Sequence, residues 1–317
     1  MHCLARFSNA RDDLGRYARD MTVPVDSTFA PRGIVLGLAS LVLDADADPA
    51  RSREIVRAAA SRSLAEGGAV AIDTARAYAT VDDETAGEKL AREAVAVRPG
   101  IPIITKAGHS RATVSSWDVD GGAERLRRDA RLSAEVLGAP PALLLLHRAD
   151  RVDDVAESVR VLLQLRDEGL AERVGLSNAN LEVLESVREI GALDAVQNRL
   201  GVGVDSFDEY VYCRDAGIDF LAYAPFGGPR AAPLPTRVPR MSALATARTN
   251  AGEPISVHRL VLAAMLDALP GCWPVIGPRR VESALDSLAA SAFVVDDDVR
   301  EAFAADVYSR GVPLPVR

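Results

Sequence analysis

Short apolar runs alternate with helix-length amphipathic stretches along this chain. Strands are expected at 33–37, 69–73, 101–105, 142–146, 174–176, 195–197, 218–223 and 273–277. Most of these runs are apolar without a two-residue alternation, the pattern of parallel strands covered on both faces. Between them the apolar positions fall at helical spacing. Val152, Val155, Val159 and Leu162 share one face of a helix that stops at Gly169. Similar stretches run from Ile55 to Leu64, closing at Gly67 and Gly68, and from Leu181 to Ile190, closing at Gly191. Another runs from Val257 to Leu269, before Pro270 and Gly271. Eight β-α units in series predict an α/β fold, a (β/α)8 TIM barrel in a single domain over residues 31–317. Residues 1–30 carry no motif and read as a loosely held extension.

A doubly wound open sheet shares this alternation and predicts a glycine-rich phosphate turn after the first strand. Here that position reads Gly37-Leu38-Ala39-Ser40, without the G-x-G-x-x-G spacing. The nearest match, beginning Gly201-Val202-Gly203, lies deep in the chain and lacks its third glycine. No phosphate-loop, H-E-x-x-H or G-x-S-x-G motif occurs.

Composition narrows the partners. The 317 residues are 48% hydrophobic with no apolar stretch of spanning length, so no membrane span is expected. A formal net charge of −8 argues against nucleic acid or an anionic membrane surface, since those affinities rest on clustered Lys and Arg. The N-terminus mixes Arg6, Arg11, Asp12, Asp13, Arg16 and Arg19 in place of the apolar core of a signal peptide, and a cytoplasmic location is expected. Cys3, Cys213 and Cys272 are scattered and odd in number, so no disulfide is expected.

In a parallel barrel the reactive groups gather at the C-terminal ends of the strands. On the expected assignments Asp73 ends the second strand, Lys106 follows the third, His147 ends the fourth and Tyr78 lies on the loop after Asp73. A free tyrosine has a pKa near 10, roughly three units too high to release its proton readily at neutral pH. A lysine cation beside it is expected to lower that value, and a carboxylate beside the lysine keeps the lysine charged and in place. With His147 holding a carbonyl oxygen in line, the cluster is a proton donor for an oxygen that becomes an alkoxide, which is the need of carbonyl reduction.

Seven segments, in order over about residues 33–290, resemble the aldo-keto reductases. They are Asp73-Thr74-Ala75-Arg76-Ala77-Tyr78, Thr105-Lys106, Leu146-His147-Arg148-Ala149-Asp150, Gly175-Leu176-Ser177-Asn178, Val196-Gln197-Asn198, Tyr223-Ala224-Pro225-Phe226-Gly227 and Val275-Ile276-Gly277. The resemblance implies a barrel that binds NADPH, with NADH as the alternative, and reduces a small aldehyde, ketone or sugar or oxidises the alcohol. It implies Tyr78 as general acid, Lys106 and Asp73 as its tuning pair and His147 as the carbonyl-orienting group. It implies that Ser177, Asn178 and Gln197 hold the nicotinamide carboxamide and that Tyr223 stacks on the ring, with Pro225, Gly227 and Gly277 also on the cofactor side. Arg279 and Arg280 are placed to clamp a 2′-phosphate. Asp286-Ser287 stands where the family usually has Glu-Asn, at an adenine contact.

Other positions depart from that pattern. Ala79 replaces a glycine after Tyr78, the loop that follows is longer and more acidic, and Glu84 is taken as the family's next glutamate. Residues 227–253 are expected to form a long loop that flaps over cofactor or substrate, offering Arg230, Arg237 and Arg240 to phosphates or an acidic substrate. His109 and Trp117 are candidates for the pocket lining. Two other readings stay open: a nucleotide-binding regulatory barrel with little turnover, and a biosynthetic enzyme of the same fold with no net redox.

Overall fold

The computed structural model describes residues 33–66, 69–111, 116–203 and 206–308. The expected extension over residues 1–30, with Cys3, lies outside them, as do Gly67 and Gly68. Among the described residues ten strands follow in chain order: β1 (Gly33–Gly37), β2 (Ala69–Asp73), β3 (Ile103–Ala107), β4 (His109–Arg111), β5 (Trp117–Val119), β6 (Leu143–Leu146), β7 (Val174–Ser177), β8 (Ala195–Arg199), β9 (Asp219–Tyr223) and β10 (Cys272–Ile276). Eight of them close into a parallel barrel in the order β1-β10-β9-β8-β7-β6-β3-β2, and β4 and β5 form a separate antiparallel hairpin. Closure excludes the open doubly wound sheet.

Side chains alternate across the barrel wall. Val35, Ala71, Ile104, Leu143, Leu145, Ala195, Leu221, Trp273 and Val275 fill the lumen. Their neighbours Leu36, Ile72, Leu144 and Leu146 face the surrounding helices. Each such buried Leu or Ile contributes about 1.5–3 kcal/mol, which is why uninterrupted apolar runs form these strands. Gly175 is fixed by space, since a Cβ there would lie 2.0 Å from the Ala195 carbonyl oxygen on β8.

Several strand ends differ from expectation by one residue, at β6, β7, β9 and β10, and two strands differ by two. β3 starts and stops two residues later than predicted, so Lys106 lies within the strand, and β8 runs on to Arg199. Lys106, Gln197 and Asn198 break the apolar run without ending the strand, because each finds a buried polar partner. His147 is one residue beyond β6.

Part of the expected 227–253 loop is helical, with helices at Leu234–Arg237 and Pro239–Asn250. Val238 and Met241 are buried there. Asp306, on the last described helix Asp297–Tyr308, accepts the backbone N–H groups of Arg240 at 3.2 Å and Met241 at 2.9 Å. Cys213 and Cys272 are buried free thiols. Among the described residues no helix is long and apolar enough to cross a membrane, and no cluster of potential metal ligands occurs.

Candidate active site

Lys106 points into the barrel mouth from β3. Its ammonium lies 2.7 and 2.8 Å from the two carboxylate oxygens of Asp73, 2.9 Å from the Thr74 carbonyl oxygen and 3.3 Å from the Tyr78 hydroxyl. Lys106 is 1% exposed and Asp73 2%, so each buried charge depends on the other. Tyr78 is fixed by its backbone: its N–H donates to Ala75 at 3.0 Å, and Gly87 N–H donates to its carbonyl at 2.8 Å. The His147 ring stands edge-on to Tyr78, with centroids 5.9 Å apart. All four expected reactive groups therefore meet at one end of the barrel.

Burial sets the protonation states. It raises the Tyr78 phenol above its ordinary value near 10, and the downward pull of Lys106 only partly offsets this. The expectation that Lys106 leaves the phenol below its usual value is thereby corrected for the protein alone. Burial also pulls Lys106 down, but Asp73 and then Tyr78 outweigh it, and the ammonium is held above its ordinary value. His147 falls well below 6.5 through burial, then Lys106, His109 and Arg148. At neutral pH the site therefore holds a protonated phenol, a cationic lysine and a neutral imidazole.

A second set of polar groups lines the neighbouring strand ends. Ser177 donates its hydroxyl to the Gln197 carbonyl at 3.0 Å, and Asn178 donates to the His147 carbonyl at 2.8 Å. Asn178 has φ +60°, a strained backbone that its side-chain bonds hold in place. Tyr223 donates to Asn178 Oδ1 at 2.6 Å, and Gln197 Nε2 donates to Asp73 Oδ2 at 2.7 Å. Ser177, Asn178, Gln197 and Tyr223 are thus brought together, tied to one another and to the buried carboxylate.

Beyond β10 lies a cleft of about 620 Å³ whose lining includes Phe226, Ser256, Gly277, Arg279, Arg280 and Asp286. Arg279 is ion-paired to Asp44 at 2.6 Å. Asp286 accepts from Arg259 at 2.6 Å and from the Ser256 hydroxyl, so its carboxylate is engaged by the protein. Pro225 and Gly227 lie on the turn after β9, where Ala224 has φ +55° and Gly227 φ +90°. Arg237, expected to meet phosphates, instead donates to the carbonyls of Ala232 and Val202, each at 2.8 Å, and of Phe226. It ties the turn after β9 to the one after β8.

Two features were not legible beforehand. The β4–β5 hairpin sets His109 against His147, with ring centroids 4.7 Å apart, and against Trp117 at 5.1 Å. Behind the Tyr78 loop, Arg76 is ion-paired to the buried Glu88 at 2.8 Å as well as to the expected Glu84 at 3.1 Å, which is largely exposed. Glu88 stands on the buried face of the helix Ala86–Val97 with Gly87 and Ala91, and a carboxylate on an apolar face is the signal that marks it.

Comparison with known proteins agrees with this geometry. The sequence pattern of the Aldo/keto reductase family matches residues 33–305. An uncharacterized oxidoreductase of Schizosaccharomyces pombe is 26% identical over 231 residues, which are 72% of this chain and 71% of that protein. An aldo-keto reductase of Gibberella moniliformis is 27% identical over 212 residues, 66% of this chain and 61% of that protein. The crystal structure of an aldo-keto reductase from Klebsiella pneumoniae in complex with NADPH superposes with a TM-score of 0.68 at 20% identity, over 90% of this chain and 96% of that one. A family pattern that begins at β1 and runs through the last barrel strand leaves one assignment: this chain belongs to the aldo/keto reductase family.

Proposed function

We propose that the protein is an NADPH-dependent oxidoreductase that reduces a small aldehyde or ketone, or oxidises the corresponding alcohol, with Tyr78 as general acid. The carrying observation is the buried Lys106 ammonium, 2.7 Å from Asp73 and 3.3 Å from the Tyr78 hydroxyl. A lysine buried only to stabilise a fold has no need of a phenol that opens toward a histidine.

The residues beyond β10 suit the phosphate-bearing half of a dinucleotide. Gly277 allows close approach, the helix Val281–Leu288 begins at the cleft, and Arg280 contributes a cation. The relative from Klebsiella pneumoniae crystallised with NADPH supports that choice of cofactor, with NADH as the alternative. Ser177, Asn178, Gln197 and Tyr223 form the wall for the nicotinamide end. When bound, the reduced nicotinamide supplies the hydride for the carbonyl carbon.

The chain's own groups manage the oxygen. Neutral His147 has one ring N–H to give and orients the carbonyl oxygen beside Tyr78. As negative charge grows on that oxygen, the phenol O–H bond breaks and the proton forms the alcohol O–H. The phenolate left behind faces the Lys106 ammonium, which Asp73 holds in place. This electrostatic support is present before reaction and needs no rearrangement.

The test is Tyr78→Phe. Carbonyl reduction falls about 10²–10⁴-fold while NADPH still binds, followed by quenching of protein fluorescence. Turnover retained in this variant overturns the assignment of the acid, and failure of the wild-type protein to bind either dinucleotide overturns the cofactor.

A further inference from the structure

β3 carries a second polar cluster on the face opposite Lys106. Strand alternation sends Lys106 inward and Thr105 outward, where its hydroxyl donates to Glu88 Oε1 at 2.9 Å. The same carboxylate accepts from Ser133 on the helix Ala123–Leu137, and its other oxygen takes the Arg76 guanidinium at 2.8 Å. Glu88 is 1% exposed and Arg76 3%. Arg76 lies between Asp73 and Tyr78, and its backbone N–H donates to the Lys106 carbonyl at 3.0 Å.

We infer that Glu88 is a positioning residue for the proton donor, acting through Arg76 and Thr105 to set the separation of the Tyr78 hydroxyl from the Lys106 ammonium. One carboxylate grips both segments that carry the reacting pair: the loop of Tyr78 through Arg76, and the strand of Lys106 through Thr105. Gly87 presses the same helix onto the loop. A Cβ at Gly87 would lie 2.7 Å from Thr74 Oγ1, 2.8 Å from Tyr78 Cβ and 2.9 Å from the Tyr78 carbonyl oxygen. The helix that carries Glu88 is thus seated directly on the Tyr78 loop.

The charged and titratable groups around Tyr78 are Asp73 from β2, Lys106 from β3, His147 beyond β6 and Tyr223 from β9. Arg111 on β4 also donates to the Ala79 carbonyl at 3.2 Å. Of these, Lys106 is the one that lowers the phenol. Loosening its contact therefore moves Tyr78 ionisation to higher pH.

The proposal rests on Tyr78 as the acid for its kinetic consequence, but its geometric core is tested without turnover. The phenol is titrated by near-ultraviolet absorbance, as the difference between each protein and its Tyr78→Phe counterpart, in the wild type, in Glu88→Gln and in Thr105→Val. Thr105→Val keeps the buried ion pair and removes one bond to the carboxylate, so it serves if Glu88→Gln does not fold. The expected result is a Tyr78 titration displaced to higher pH in either variant, with kcat lowered about tenfold and the dissociation constant for NADPH within about twofold of wild type. An unmoved titration in a folded variant overturns the proposal, whatever happens to thermal stability. A displaced titration in a protein that reduces no carbonyl upholds the positioning role and refutes the proposed function instead.

Discussion

Gln197 donates to Asp73 across the barrel mouth at 2.7 Å, joining strands that stand four places apart in an eight-stranded ring. Asp73 is therefore shared between Lys106 and the far wall. Removing it strands a buried cation and a buried amide together.

Breaking this centre on one side is expected to cost more than dismantling it. Asp73→Asn or Lys106→Met alone leaves a buried charge without its counter-ion and destabilises by about 3–5 kcal/mol. The double variant is less destabilised than the sum of the two. Denaturant unfolding of the four proteins measures the coupling, and simple additivity would contradict the mutual dependence of the charges.

The two edge-on histidines predict an acid-side loss of stability. His109 is lowered to about 4 by burial first and then by Arg148, Arg151 and Arg125, and burial holds His147 well below its ordinary value. The fold holds both neutral, whereas the unfolded chain takes up protons near 6.5. Their contribution is whole above about 6.5 and is lost as pH falls toward 4. Thermal unfolding of wild type and His109→Gln at pH 7 and pH 4.5 checks this. The wild type is expected to lose more on acidification, and equal losses would remove His109 from the account.

Cofactor preference should reside more in Arg280 than in Arg279. Arg279 is already paired with Asp44, while Arg280 stands at the start of the helix that borders the cleft. Arg280→Ala is expected to weaken NADPH binding about tenfold and leave NADH nearly unchanged. Arg279→Ala has the smaller effect. Dissociation constants for the two dinucleotides read the difference, and equal weakening of both would assign Arg280 to something other than the 2′-phosphate.

Arg237 is expected to act through the backbone. Its guanidinium gathers the carbonyls of Val202, Phe226 and Ala232. Arg237→Ala should speed hydrogen exchange over residues 226–233 and weaken dinucleotide binding, while amides in β1, β2 and β3 keep their protection. Loss of protection throughout the barrel would show that the clamp supports the whole fold.

The barrel was readable because parallel strands covered on both faces carry few polar residues, and β1 and β2 fall where the apolar runs place them. The largest displacements, at β3 and β8, occur where polar side chains continue a strand: Lys106 reads as the residue after one until Asp73 is seen opposite it. The β4–β5 hairpin, three residues a side and mostly polar, offers no periodicity long enough to detect. The tetrad was visible as residue types at strand ends. The charged lysine was visible with it, since Asp73 outweighs burial there, but the raised phenol was not, because at Tyr78 burial outweighs the pull of Lys106. Nor could sequence show that Asp286 is held by Arg259, since that bond joins two helices brought side by side only in the folded chain.

The helix Pro239–Asn250 has no side-chain cap of its own at Val238, and the carboxylate that receives its first N–H groups belongs to Asp306. That anchor lies 66 residues downstream, so loosening the helix Asp297–Tyr308 frees the first turn of Pro239–Asn250, while Asp73 and Lys106 inside the ring keep each other as partners.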